Sequence, residues 1–132
     1  MAELFELHDK NQFEIYAFSF GFSVEDKMQN RLKGNFDKFL DVSEKSDISI
    51  AKLSRELEID IAIDLKGSTA FSRTGIFACR AAPVQVNYLG YPGTMAVDFI
   101  DYIIADKTLI PAESKKYYAE KIIYLPDSYQ VT

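Results

Sequence analysis

Ile59-Asp60-Ile61-Ala62-Ile63-Asp64-Leu65-Lys66-Gly67 is the stretch that decides the fold. Large apolar residues alternate there with Asp60, Ala62 and Asp64, the period-two signature of a strand, and Lys66-Gly67 closes it. The period then changes. Residues 70–81 carry Phe71, Ile76 and Phe77 as the inward positions of a helix that Pro83 ends, because the residue ahead of a proline is driven out of the helical region. Residues 84–89 form a second apolar strand. Strand, helix and strand within about thirty residues make a βαβ unit, whose two strands run parallel.

The same alternation continues outward. Residues 13–20 are an aromatic and β-branched run closed by Gly21, the pattern of a buried strand. Ser23-Val24-Glu25-Asp26 has the form of a capping box and opens a helix with Met28 and Leu32 inward and Gly34 as its stop. Residues 39–42 are a short strand, and Ser46 or Asp47 can cap a helix that buries Ile50, Leu53 and Leu57. On the other side, residues 99–105 read as a strand, 114–119 as a short polar helix and 122–125 as a last strand. The pattern predicts an α/β fold: a Rossmann-like, mostly parallel sheet with helices on both faces.

The 132 residues, 48% of them hydrophobic, suit one domain spanning residues 1–132. No apolar run approaches the roughly 18 to 20 residues of a membrane span, and the acidic Met1-Ala2-Glu3 start is unlike a basic signal region. A cytoplasmic place without membrane contact is expected. A net charge of -5 with scattered Lys and Arg argues against sequence-independent nucleic-acid binding, which needs clustered cations to displace counterions. One cysteine, Cys79, and one histidine, His8, are too few for a disulfide or a zinc set. Cys79 is expected as a packed core thiol, and His8, among Glu6, Asp9 and Lys10, as a solvated surface residue.

Ligands of parallel α/β sheets bind at loops beyond the carboxyl ends of the strands. That rule selects residues 21–23, 66–69 and 90–94. Gly90-Tyr91-Pro92-Gly93-Thr94 brackets a rigid proline with two glycines, which suits either a tight turn or a backbone that exposes amides to a ligand. Lys66-Gly67-Ser68-Thr69 suits an N-cap or an anion site at a helix start. Neither is a dinucleotide or Walker motif. Asp60 and Asp64 would lie about 13 Å apart along one strand, too far for a shared metal. Asp60, Asp64, Asp98, Asp101 and Asp106 are expected as solvated strand ends or caps.

Several blocks together resemble the catalytic region of the O-linked N-acetylglucosamine transferase and SPINDLY family of glycosyltransferases, especially its bacterial, tetratricopeptide-containing members. They are residues 64–69, Arg73-Thr74-Gly75-Ile76-Phe77-Ala78-Cys79-Arg80-Ala81-Ala82-Pro83-Val84-Gln85-Val86, Leu89-Gly90-Tyr91-Pro92-Gly93-Thr94, residues 101–106 and Tyr124-Leu125-Pro126-Asp127, in family order. The resemblance implies the N-terminal lobe of a GT-B-type enzyme that inverts configuration and needs no metal or other cofactor. It transfers N-acetylglucosamine from UDP to Ser or Thr hydroxyls of protein acceptors. It implies that Leu89 and Gly90 lie beside donor sugar and acceptor, with Tyr91 in the same loop and Pro92, Gly93 and Thr94 holding its shape. Ser68 and Thr69 would face the same cleft, although an aromatic residue is usual at the position of Ser68.

By the same resemblance, the lobe's first strand and a His-Pro element precede the opening helix, which here begins at once with Met1, Leu4, Phe5 and His8 at helical spacing. The second lobe, with the lysine and other groups that hold UDP, follows this segment in the family. The chain is therefore expected to be part of a catalytic lobe, inactive alone, partnered by that second lobe and prone to self-association through uncovered apolar surface. The rival reading is a non-catalytic interaction module of receiver type, using Asp64 at a strand end with Thr69 nearby.

Overall fold

The computed structural model describes residues 2–20, 27–67, 72–90 and 93–130. Contacts divide the chain into two compact units, Met1–Lys45 and Ser46–Gln130. The first holds α1 (Ala2–Leu7), β1 (Tyr16–Ser19), α2 (Lys27–Lys33) and β2 (Lys38–Asp41). β1 and β2 pair in parallel, Tyr16 opposite Lys38 and Ser19 opposite Asp41. Their entry is fixed by a reciprocal pair in which the Ile15 N–H donates to the Asp37 carboxylate at 2.6 Å and the Asp37 N–H to the Ile15 carbonyl at 2.9 Å. That clamp explains why β1 starts well after Phe13, which is exposed. The residues of the predicted capping box lie outside the described residues. Met28, expected inward, is 51% exposed, because α2 makes its contact with α1 through Arg31, which holds Glu6 in a two-pronged ion pair.

The second unit holds α3 (Asp47–Glu56), β3 (Ile61–Asp64), α4 (Gly75–Ala78), β4 (Val84–Asn87), β5 (Tyr102–Ala105), a 3-10 helix (Ala112–Tyr117) and β6 (Lys121–Tyr124). The four strands form one sheet in the order β3-β4-β5-β6, every pair parallel. Ser46 caps α3 by accepting the Ser49 N–H, and Ile50 and Ala51 are fully buried. The predicted helix over residues 70–81 contracts to Gly75–Ala78. Its described end is set by Cys79, whose N–H closes on the Gly75 carbonyl, and by Arg80 at φ 57°. Cys79 is half-buried rather than a core thiol.

Register puts Asp64 beside Asn87 and Ile63 beside Val86, so the sheet has two distinct faces. One carries Asp64, Gln85, Asn87, Ile103 and Ala105, all buried, with Ile110, Tyr118 and Tyr124 packed over its far end. The other carries Ile61, Ile63 and Ile123, each at least 40% exposed. The alternation in residues 59–67 thus places the aspartate inward and the isoleucines outward. β3 is an edge strand of this sheet, and the face that α4 covers is the one bearing Asp64 and Gln85. Among the described residues no helix is long and apolar enough to cross a membrane.

Candidate functional site

β3 and β4 end side by side, and two of the three loops selected from the sequence leave from those ends, while the third, residues 21–23, lies outside the described residues. Asp64, the last residue of β3, is 4% exposed. Its Oδ1 accepts the Lys66 N–H at 2.8 Å and the Gly67 N–H at 3.1 Å, capping the turn that follows. Its carbonyl accepts the Tyr88 N–H at 3.0 Å, extending the ladder one residue past β4. Its second carboxylate oxygen is buried and has no hydrogen-bond partner. A phosphoryl donor cannot reach a carboxylate so enclosed, and the receiver-type reading loses its acceptor. Ser68 and Thr69 lie outside the described residues, as do Tyr91 and Pro92.

Leu89 and Gly90 begin the second loop. Leu89 has φ 74°, and the Gly90 N–H donates to the Tyr88 carbonyl at 3.0 Å across it. A two-residue bond around a positive φ marks the strained form of γ-turn. For a side chain as large as leucine such a conformation costs about 1–3 kcal/mol and persists only where its surroundings enforce it. Gly90 supplies the enforcement. A Cβ there would overlap the carbonyl carbon and oxygen of Lys66 and the carbonyl oxygen of Leu65. The absence of a side chain lets the two loops touch backbone to backbone.

Thr94 fixes the far side of the loop. Its hydroxyl donates to the Glu120 carboxylate, 2.8 Å from the nearer oxygen, and accepts the Ala96 and Ala119 N–H groups at 3.0 and 3.3 Å. Glu120 is 4% exposed and also accepts the Met95 N–H at 2.7 Å. The hydroxyl is thus spent on the loop's own frame. Gly93 is half-buried.

Below the loops, β4 is held by a polar core that no motif announced. Gln85 is fully buried. Its amide donates to the Phe77 and Phe99 carbonyls at 2.9 and 2.6 Å, and its oxygen accepts the Ala81 N–H at 2.8 Å. Arg80 grips Asp101 with two hydrogen bonds of 2.6 and 3.0 Å, and Asp101 also accepts the Gln85 N–H. The Arg80 hydrogen bond, aided by the Gln85 amide, holds the Asp101 carboxyl below the usual aspartate range against the opposing effect of burial. Asp106 is buried as well. It accepts the Leu109 N–H at 2.7 Å and the Tyr129 N–H at 3.0 Å, which lowers its pKa. Tyr88 donates to the Tyr129 carbonyl at 2.7 Å, and burial pushes its phenol up. Asp64 and Asp106 are caps, as expected, but buried ones, and Asp101 is an ion-pair partner.

His8 is half-buried in the first unit. Its Nδ1 faces the Phe5 carbonyl at 2.7 Å and so carries the proton, a local helix-end contact rather than a solvated position.

The sequence matches Glycosyl transferase family 41 over residues 1–132. Among its relatives is an Arabidopsis thaliana protein named "Probable UDP-N-acetylglucosamine--peptide N-acetylglucosaminyltransferase SEC". It is 34% identical over 131 residues, which are 99% of this chain and 13% of the relative. A Petunia hybrida protein of the same name ending in SPINDLY is 33% identical over 126 residues, 92% of this chain and 13% of its own length. A mutant O-GlcNAc transferase of Thermobaculum terrenum superposes with a TM-score of 0.92 at 32% identity, covering 97% of this chain and 24% of that one. The chain therefore spans about an eighth of these relatives and about a quarter of the solved enzyme. The parallel α/β architecture, the paired strand-end loops and these matches lead to one assignment: the chain belongs to glycosyl transferase family 41.

Proposed function

We propose that this chain supplies one wall of a glycosyl-transfer site, the wall that faces the donor sugar and the acceptor hydroxyl. The observation that carries the reading is the strained Leu89 turn pressed against the Lys66 peptide at the carboxyl ends of two parallel strands. Strain of that kind gathers where a backbone must present itself to a ligand. The relatives' names suggest the substrates: UDP-N-acetylglucosamine as donor and Ser or Thr of a protein as acceptor. Tyr91, Pro92, Ser68 and Thr69 complete the wall in this reading. No cofactor takes part, and the setting is cytoplasmic.

Transfer from a nucleotide sugar needs charge stabilisation at the departing pyrophosphate. The groups that provide it, and any helical repeats that recruit acceptors, belong in this proposal to other parts of the polypeptide. The small share of each relative that the chain spans supports that division. Alone, the chain is inactive. Exposed Leu7, Phe13, Ile61 and Ile63 favour its self-association, so sedimentation should find species larger than a monomer.

Calorimetric titration with UDP and an assay for sugar transfer to a serine peptide test the division of labour. Neither micromolar UDP binding nor turnover by the chain is expected. Either result would overturn the assignment of the nucleotide contacts to another lobe.

A further inference from the structure

We propose that Asp64 is the positioning residue of this wall. Through one side-chain oxygen it fixes the Lys66 peptide, and through that peptide it keeps Leu89 in its strained turn. The inference rests on the functional reading above for its ligand, and on geometry alone for its mechanism.

The chain of contacts is short. Asp64 Oδ1 takes both amides of the turn, Lys66 and Gly67, and this orients the Leu65 and Lys66 carbonyls. Gly90 rests on those carbonyls with no room for a Cβ. The Tyr88 N–H is tied to the Asp64 carbonyl. Leu89 lies between two anchored neighbours, Tyr88 and Gly90, and both anchors lead to residues 64–66. Releasing the Oδ1 cap lets the Lys66 peptide rotate, and the turn at Leu89 then relaxes toward negative φ.

The second carboxylate oxygen tells which property of Asp64 matters. It is buried without a hydrogen-bond partner, an arrangement that destabilises the fold. Asparagine offers the same acceptor to the two amides, while its own NH2 takes the place of the unpaired oxygen and finds no acceptor there. Asp64→Asn should therefore keep the turn without a gain in stability, whereas Asp64→Ala should lose the turn.

NMR on the whole chain tests this with three readouts. They are the three-bond coupling from the Leu89 Hα to the Tyr88 carbonyl carbon, which is large at positive φ and small at negative φ, the shifts of the Leu89 and Gly90 amides on titration with UDP-N-acetylglucosamine, and Tm. Asp64→Asn is expected to keep the wild-type coupling and titration midpoint, with a Tm no higher than that of wild type. Asp64→Ala, studied where its spectrum is still that of a folded protein, is expected to change the coupling and to raise the midpoint at least about tenfold. An unchanged coupling and midpoint in Asp64→Ala overturns the proposal, as does an Asp64→Asn chain that fails to rescue them. Should Asp64→Ala not fold, the Asp64→Asn arm decides alone. A wild-type chain whose Leu89 and Gly90 amides ignore the sugar nucleotide overturns the functional reading, and the Leu89 coupling still decides the role of Asp64.

Discussion

The two ends of the loop after β4 are held by opposite means. At Leu89-Gly90 the restraint is backbone against backbone: a strained turn, a glycine without room for a methyl group and the Lys66 carbonyl behind it. At Thr94 the restraint is a side-chain network, one hydroxyl shared among Glu120, Ala96 and Ala119. The contrast separates two ways of fixing a loop. The Thr94 end is bonded directly by its own side chain, while the Leu89 end is held through the Lys66 peptide, which Asp64 caps.

The largest effect that can break this contrast is Gly90→Ala. The added methyl meets peptide carbonyls that cannot swing away, so a loss of about 3 kcal/mol is expected in denaturant unfolding. Gly75→Ala is its control. There the new Cβ meets Asp47 Oδ2, the movable end of a side chain paired with Arg73, and the expected loss is only about 1 kcal/mol. Equal losses at the two glycines would mean that the backbone contact at Gly90 is not special.

Next comes Thr94→Val. It returns two exposed amides to water and leaves the buried Glu120 carboxylate with one described donor, at a cost of about 2 kcal/mol by the same measurement. Because the two ends are fixed independently, the Thr94→Val chain should retain the wild-type coupling between the Leu89 Hα and the Tyr88 carbonyl carbon. A changed coupling would show that the loop moves as one body.

Acid sensitivity is smaller and belongs to the frame beneath the loop. Asp101 and Asp106 have folded pKa values below their ordinary ones. Their stabilisation is therefore fully present above the unfolded aspartate value near 3.9 and is lost as pH falls through the lower folded values. Melting curves from pH 5 to 2 should show Tm declining over that window. Asp101→Asn should flatten the decline by removing its contribution, and an unchanged slope would count against the Arg80–Asp101 pair. The smallest effect is Leu89→Gly, where relief of strain offsets lost packing and a more flexible unfolded chain. Stability should stay within about 1 kcal/mol of wild type.

The element order was legible in the sequence because hydrophobic period changes at each boundary, and the strand-end loops followed from the rule for parallel sheets. Element bounds were less so. β1 begins at Tyr16 rather than Phe13 because Ile15 is clamped by the carboxylate and the amide of Asp37, a partner 22 residues away that no local window can contain. The facing of β3 was invisible for a similar reason: alternation gives two faces, and only the covering helix decides which is inside. In the loop after β4 the sequence singled out Leu89, Gly90 and Thr94, and it allowed Asp64 as a cap, but it assigned nothing to Gln85 or Glu120. Buried polar residues carry no periodic signal, since their partners are backbone groups brought close by the fold.

The central claim is that the Leu89-Gly90 turn faces a sugar. Amide shift mapping of the chain with UDP-N-acetylglucosamine, run beside UDP alone, tests it most directly. The account predicts shifts centred on Leu89, Gly90 and Lys66 with the sugar nucleotide, in the millimolar range and absent with UDP. Shifts centred elsewhere, or identical with UDP, would contradict it.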